Sequence, residues 1–413
     1  MTVWINTLFD ALPGESGRPM RYWLLSRALI EAGHTVVIWS GDFQHVTKSS
    51  RQVSSDYVEE GIHVRLVPVQ PYHRNVCWRR WRSHAGYAAE WGRRAVAAVE
   101  LGEVGQPDCI VLAMPPTGLF DVTNRLRRRW RCRVVVDIQD AWPETFYQLL
   151  PRSLRWTGAF LFGALRRTAR RAYCGADAVA AVAERYAMLA RDGGCRGNVG
   201  VFPLGTQLRI LGERSKERRT DGAALRLCYV GNLGETYDIA TMLDGVCRLS
   251  SEGVPLTLIV AGDGPQRGRV MQAVAENPAV IRFAGYLAHD ELSALLDACD
   301  VGVVPMVAAS WVAVPNKIGD YAAAGLAMIN GLEGEAQTLL DRYQAGLFYR
   351  TGDVSSFMDA VRRYAADRVL LERHQQGARR LAEERFDAAR IYPEMAKWLE
   401  HVVMKGMDVE KRD

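Results

Sequence analysis

The sequence predicts an α/β protein built from two doubly wound, Rossmann-like halves. Three observations carry that expectation. Short β-branched runs alternate with helical patterns along the whole chain, the rhythm of parallel strands covered by helices. At 413 residues the chain exceeds one ordinary core, so two domains of roughly 150–200 residues each are expected. One polar, charged, glycine-containing stretch, residues 206–224, breaks the rhythm and reads as a linker.

In the first half the strand candidates are residues 3–8, 34–40, 62–69, 109–114, 132–138, 178–183 and 198–204. Helical stretches of about 10–20 residues fall between several of them. One is MRYWLLSRALIEAG, with Tyr22, Leu25, Leu29 and Ile30 near helical spacing and Gly33 as a stop. In the second half the candidates are residues 225–231, 256–262, 280–285, 301–306, 327–330 and 346–349. The tail from Ala388 to Val403 is again helical, with Ile391, Met395, Trp398 and Leu399 on one face. The expected division is residues 1–205, a linker at 206–224, and residues 225–387, with the helix 388–413 packing back on the first domain. Ligands of doubly wound sheets bind outside the carboxyl ends of the strands. Two such halves facing each other would place the site in the cleft between them.

With 48% hydrophobic and 24% charged residues the chain is globular rather than disordered. No apolar run approaches the roughly 20 residues of a membrane span. MTVWINTLFD lacks the features of a signal peptide, so a cytoplasmic location is expected. The eight cysteines form no C-x-x-C pair and read as reduced. The net charge of +5 is unevenly spread: residues 1–205 hold 27 Lys+Arg against 18 Asp+Glu, and the remainder 25 against 29.

The chemistry concentrates at strand ends of the second half. One strand ends in Gly231-Asn232-Leu233-Gly234, the next in Gly262-Asp263-Gly264-Pro265 before a helix. Glycines there let backbone approach a phosphate, and a helix N-terminus supplies N–H donors and partial positive charge. Gly-Asp-Gly-Pro is also a common turn. VPNKIGDYAAAGLAMIN (314–330) adds a third feature. Asn316 is expected near the N-cap of a helix starting at Lys317 or Ile318. A diphosphate at that end would meet free N–H groups and the Lys317 cation. Asp320, three residues on, shares the face and suits a ribose diol; the alternative is a plain surface ion pair with Lys317. Ala322, Ala323, Ala324 and Gly325 would let the helix lie flush on the sheet.

YVGNLGE, LIVAGDGP, FAGYL with DELSALLDACDVGVVP, and PNKIGDYAAAG occur in that order. Together they resemble the donor half of retaining GT-B glycosyltransferases of family 4. With DIQDAWPE (137–144) and PGESGRPMRYWLLSRALIEAGHTV, the similarity extends over nearly the whole chain. It points to enzymes that build bacterial surface and lipid-linked glycans, including aminosugar transferases of O-antigen assembly. The resemblance implies that Gly231, Asn232, Gly262 and Gly264 line a nucleotide-sugar pocket. Tyr286 and Leu287 would sit beside the nucleobase, Asn316 and Lys317 at the diphosphate, and Asp320 at the ribose. In the first half it implies that the loop Pro13–Arg18 closes over the cleft. Gly17 would approach the donor phosphate, and Glu15, Arg18, Gln139 and Glu144 would lie on the acceptor side. Asp140 is either a carboxylate near the anomeric carbon or acceptor hydroxyl, or a strand-end acid capping the next turn; Glu144, in Trp-Pro-Glu, is the weaker candidate, with simple capping as its alternative. The family's usual first glutamate is Val312 here, a frequent histidine is Gln139, and the usual basic pair after Gly231 is absent.

The mechanism so implied is retaining and metal-independent, with no cofactor. Negative charge on the leaving diphosphate would be met by a helix end and a cation. Arginine clusters at 77–84, 125–133 and 153–171, interleaved with tryptophan, suit either an anionic bilayer surface or solvated helix faces. No motif supports nucleic acid. The expected function is transfer of a sugar, with UDP the foremost nucleotide, to a hydroxyl of a lipid-linked saccharide or similar glycan. A nucleotide-sugar epimerase and a catalytically silent sugar-nucleotide-binding partner are the alternatives.

Overall fold

The structure is a computed structural model. It describes all residues except 14, 16–19, 46, 74–76, 151, 209–223, 309 and 411–413. The chain divides into two compact units, one of Met1–Pro203 with Arg390–Asp413, the other of Leu204–Ala389. Most of the expected linker lies outside the described residues.

The first unit carries β1 (Thr2–Asn6), β2 (Thr35–Gly41), β3 (Phe43–Gln44), β4 (Ser49–Ser50), β5 (Asp56–Glu59), β6 (Ile62–Val67), β7 (Cys109–Met114), β8 (Arg133–Ile138), β9 (Ala178–Ala181) and β10 (Asn198–Val201). Its main sheet runs β10-β9-β8-β7-β1-β2-β6-β5. All pairs are parallel except β5 with β6. The central strand β7 (CIVLAM) is buried at all six positions, as expected of a parallel strand covered on both faces. The edge strand β5 is mostly exposed and the β3–β4 hairpin has two residues a side. Neither shows an apolar alternation, so neither was legible in the sequence.

The second unit carries β11 (Leu225–Val230), β12 (Leu256–Ala261), β13 (Ile281–Gly285), β14 (Val301–Val304), β15 (Ala327–Asn330) and β16 (Gly346–Phe348). They run β13-β12-β11-β14-β15-β16, all parallel. This is the doubly wound order, with its switch point between β11 and β14. The two-half α/β reading is therefore what the chain forms. Tyr321 fixes one helix to this sheet. Its ring fills the space a side chain at Gly302 would take, 2.3 Å from an added Cβ, and its hydroxyl accepts the Val230 N–H at 2.9 Å.

The first unit is tied by a buried ion pair. Arg21, at the start of the helix Arg21–Glu31, donates from Nε and Nη2 to Asp137 in β8 at 2.7 and 3.0 Å. Both side chains are shut off from solvent. The Tyr22 hydroxyl donates to the same carboxylate at 2.9 Å. Arg21 Nη1 reaches the Phe202 carbonyl at 2.9 Å, and Nη2 contacts Met395 Sδ at 3.5 Å on the C-terminal helix Ala388–Glu410. Trp398 of that helix stacks near Phe202, and Glu400 meets His34 at 2.7 Å. One guanidinium thus joins strand, helix, chain exit and tail. Breaking such a pair leaves a bare buried charge, so Asp137→Ala is expected to destabilise the protein by about 3–5 kcal/mol, read as a lowered denaturation midpoint. The doubly changed protein Arg21→Met/Asp137→Leu should lose less than Asp137→Ala alone.

Candidate functional site

Glycines set the geometry at the carboxyl edge of the second sheet. Gly231 after β11 and Gly262 after β12 both hold positive φ, 136° and 133°. A Cβ on Gly262 would fall 1.9 Å from the Gly231 carbonyl oxygen, so two backbones touch where any side chain would part them. Gly264, φ 152°, packs its backbone against Asn232 and Leu233 in the same way. Hydrogen bonds knit the two loops. Leu233 N donates to the Asp263 carbonyl at 2.9 Å, and Gln266 Nε2 donates to the carbonyls of Gly234 and Tyr237 at 2.7 and 3.0 Å. Gly262 N donates to Gly285 O at 2.7 Å, which brings in the third strand end. Beyond it Tyr286 projects into solvent, 82% exposed, and Leu287 is partly covered.

The helix Asn316–Ala323 starts one residue earlier than the sequence suggested. Pro315 is the N-cap and Asn316 the first helical residue, because proline's fixed φ and missing N–H suit the chain just outside a helix. No side chain caps this end, and Asn316 is exposed. Lys317 turns inward and is only 8% exposed. Its ammonium lies 4.1 Å from the ring centre of Tyr229 and 3.9 Å from that of Tyr237. It stands 3.3 Å from where a Cβ on Gly231 would be, and has no hydrogen-bond partner. The two tyrosine faces attract the cation without replacing its hydration. Burial pushes its pKa down to about 7, and the charge of Asp320 one turn on opposes that shift. The cation is thus held beside a glycine-rich strand end with no hydrogen-bond acceptor of its own among the described residues.

Sequence reasoning missed the cage. Tyr229 reads as an ordinary strand residue, although its hydroxyl donates to the Asn232 carbonyl at 2.5 Å. Tyr237 was passed over as a departure from the usual basic pair. Its position is set by an isolated bridge to Met306 and by Asp238 N donating to Pro305 O at 2.6 Å.

The first unit places its candidates separately. Asp140, just past β8, accepts from Thr145 Oγ1 at 3.0 Å and Trp142 Nε1 at 3.1 Å. Burial raises its pKa, and these two donors oppose the rise. Gln139 lies against the Tyr22 hydroxyl. Glu144 is buried, its pKa raised by burial, with Arg166 Nε 3.6 Å away. Glu15 is committed structurally: it accepts the Leu12 N–H at 2.8 Å and pairs with Arg51 at 2.9 Å. Gly17 and Arg18 lie outside the described residues. Among the described residues no group of three His, Cys, Asp or Glu could hold a metal ion. All eight cysteines are unbridged.

Residues 224–367 match the family described as glycosyl transferases group 1, and residues 20–205 the glycosyl transferase 4-like domain. Both halves being glycosyltransferase domains, the chain belongs to the glycosyltransferases, and its class is the two-domain GT-B enzyme. The chain is similar in particular to 2-deoxystreptamine glucosyltransferase of Streptomyces kanamyceticus, 36% identical over 81 residues, 19% of this chain and 21% of that protein. It spans only 21% to 41% of the length of the curated relatives it matches. Its fold follows that of sucrose-phosphate synthase from Thermosynechococcus elongatus, with a TM-score of 0.74 and 15% identity over 98% of this chain and 99% of that one. It also follows HepE of Anabaena, solved in complex with UDP, with a TM-score of 0.66 and 15% identity over 97% and 99%.

A buried lysine that titrates early leaves a signature in stability. Between about pH 7 and its ordinary value of 10.5, the unfolded chain holds a proton on Lys317 that the folded chain has released. In that window the unfolded state binds more protons, so this residue's contribution makes stability rise with pH. Lys317→Met, which keeps the stem and removes the charge, is expected to be at least as stable as the parent at pH 6. The difference should shrink as pH rises to 9. Urea melts of both proteins at the two pH values check this; an unchanged difference would show that the ammonium is not desolvated.

Proposed function

We propose that the protein is a retaining, metal-independent glycosyltransferase that moves a sugar from a UDP-linked donor to a hydroxyl of a lipid-linked saccharide or similar glycan. One observation carries the reading: the partnerless, caged Lys317 ammonium at the glycine-rich edge of the second unit. Cleaving an anomeric C–O bond puts negative charge on the departing diphosphate. Lys317 and the amides at the start of the helix Asn316–Ala323 supply the compensating positive charge, already desolvated and needing no reorganisation. That supply of charge is what supports metal independence. Asn232, Gly262 and Gly264 would let the diphosphate approach the backbone, with Tyr286 and Leu287 flanking the base and Asp320 holding the ribose. HepE is solved with UDP and with UDP-glucose, and an E. coli protein of this fold with UDP-2-fluoro glucose, which favours UDP here. The branch that builds bacterial surface glycans, O-antigen aminosugar transferases among them, is favoured by the Pro-Asn-Lys start of this helix.

Asp140 is the carboxylate assigned to the reacting centre, with Gln139, Glu144, Glu15 and Arg18 on the acceptor side. Burial raises the proton affinity of Asp140 while two hydrogen bonds hold its orientation. Such a group accepts a proton from an acceptor hydroxyl more readily than an ordinary surface aspartate. The experiment is a panel of nucleotide sugars followed by thermal shift and release of free nucleotide. A UDP-sugar should stabilise the protein and turn over slowly to UDP and sugar. Lys317→Met should lose the shift, and Asp140→Asn should keep it while losing about 10²–10³ in turnover. Inversion at C2 of the sugar, or binding without turnover, would replace this reading.

The acceptor's lipid would bring the enzyme to a membrane at its cytoplasmic face. No helix among the described residues is long and apolar enough to cross one. On the first unit, however, Trp156 is 78% and Phe160 90% exposed, shortly before Arg166, Arg167, Arg170 and Arg171 of the helix Gly163–Gly175 in the sequence. Exposed aromatic rings next to arginines fit the interface of an anionic bilayer. Cosedimentation should show binding to phosphatidylglycerol-rich vesicles and none to phosphatidylcholine alone. Trp156→Ser/Phe160→Ser should weaken it by about tenfold or more, from the lost apolar burial.

A further inference from the structure

Two tyrosines enclose the Lys317 ammonium, one near the end of β11 and one in the loop that follows it. The rings of Tyr229 and Tyr237 meet edge to face, with centres 5.8 Å apart and planes at 72°. Their faces make a corner, and the ammonium sits in it, 4.1 Å from the first centre and 3.9 Å from the second. Beside it lies Gly231, where an added Cβ would stand 3.3 Å from the nitrogen. A leucine or methionine at position 317 would fill the same space without the penalty of a buried charge.

Neither tyrosine is a counterion. Burial pushes both phenols up, away from ionisation. The Tyr229 hydroxyl is engaged by the Asn232 carbonyl at 2.5 Å. Tyr237 is placed by its backbone: its N–H donates to the Gly234 carbonyl at 3.1 Å, its carbonyl accepts from Gln266 Nε2 at 3.0 Å, and it bridges Met306. What each offers the lysine is its π face, whose quadrupole attracts a cation and has little hold on a neutral amine. Among the described residues, the titratable groups facing the ammonium are these two phenols and Asp320, one turn on in the helix Asn316–Ala323. Burial works against the charge, and Asp320 works for it. The rings act for it as well, and they leave its hydrogen-bonding capacity open.

We propose that Tyr229 and Tyr237 are positioning residues for the donor's diphosphate, their ring faces keeping Lys317 charged and beside the Gly231 strand end. A carboxylate in their place would also hold the charge, but it would compete with the diphosphate for it. An aromatic face does not compete, because it takes none of the three N–H donors of the ammonium. Tyr237 thereby has a use in the loop where the family's usual basic pair is absent. Naming the anion as the donor's diphosphate rests on the transferase reading; the hold of the rings on the charge does not.

The chain holds six lysines, so carbon-13 labelling at lysine Cε gives six signals, and the one missing from Lys317→Met belongs to Lys317. Its titration is followed by NMR in the free full-length protein, while UDP and inorganic pyrophosphate are each titrated by calorimetry at pH 6 and pH 8. Tyr237→Leu removes one face and should lower the proton affinity of Lys317 about tenfold. The rings favour the charged lysine alike in free and occupied protein, so the variant's loss of affinity should follow the charged fraction. UDP binding should weaken about tenfold at pH 8 and only about twofold at pH 6. Tyr237→Phe, which keeps the face, should restore the parent's titration and affinity. Should Tyr237→Leu fail to fold, Tyr237→Met, also without a ring or an acceptor oxygen, is read in the same way. With UDP bound by the parent, an unchanged Lys317 titration in the ring-free variant, or an equal loss of affinity at both pH values, overturns the role of the rings and leaves the donor reading standing. If UDP does not bind the parent, the donor reading fails; pyrophosphate binding that shows the same pH-dependent loss still supports the rings, and binding of neither anion overturns both.

Discussion

A lysine ammonium removed from water, faced by two tyrosine rings and given no hydrogen-bond acceptor, is the constraint from which the second unit is best understood. Desolvating a cation without a partner is unfavourable, and two ring faces recover only part of the loss. The surroundings must therefore hold Lys317 where it would not otherwise stay. Tyr229 is fixed by β11 and by its hydroxyl on the Asn232 carbonyl. Tyr237 is fixed by the bridge to Met306 and by Gln266, which reaches across from the neighbouring loop. Tyr321, one turn beyond, locks the helix onto Gly302. Each of these contacts exists independently of a ligand, so the cation is positioned before one arrives.

The first unit solves a different problem with the opposite chemistry. There the buried cation, Arg21, is fully matched: two bonds to Asp137, a tyrosine hydroxyl on the same carboxylate, and a backbone carbonyl. A satisfied buried pair specifies structure and leaves no capacity for a ligand. Lys317 of the second unit stands in contrast, faced by rings rather than by a carboxylate. One buried cation is matched by the chain itself, and the other is left without a hydrogen-bond acceptor among the described residues.

This distinction also explains what was legible in the sequence. The eleven parallel strand pairings among the described residues rest on apolar β-branched runs that read directly from the letters, and Gly231, Gly262 and Gly264 announce themselves as positions where backbone must come close. Lys317 was visible because it sits in a Pro-Asn-Lys turn before a small-residue helix. The tyrosine cage was not, because Tyr229 and Tyr237 lie 80 or more positions from Lys317 and nothing local marks them. Arg21 with Asp137 was hidden for the same reason: a charge's partner is a tertiary fact. The edge strand β5 escaped because exposed edge strands lack the alternation that betrays a buried one. Glu15, which family likeness places on the acceptor side, also pairs with Arg51, a contact that no spacing foretells.

The departures from the family pattern acquire a physical meaning once the cage is known. Where relatives carry a basic pair after the first glycine loop, this chain has Thr236 and Tyr237, and the single cation comes from the helix start instead. One charge must then do what two would share, and burial is the means of strengthening it, since the same charge acts more strongly as its surroundings lose polarity. Burial alone would strip the proton from Lys317; the aromatic faces and the Asp320 charge counter that tendency. On the proposed function, an incoming diphosphate would complete the balance by supplying the hydrogen-bond acceptor that folding withholds. The desolvation incurred on folding would then not be repeated on binding.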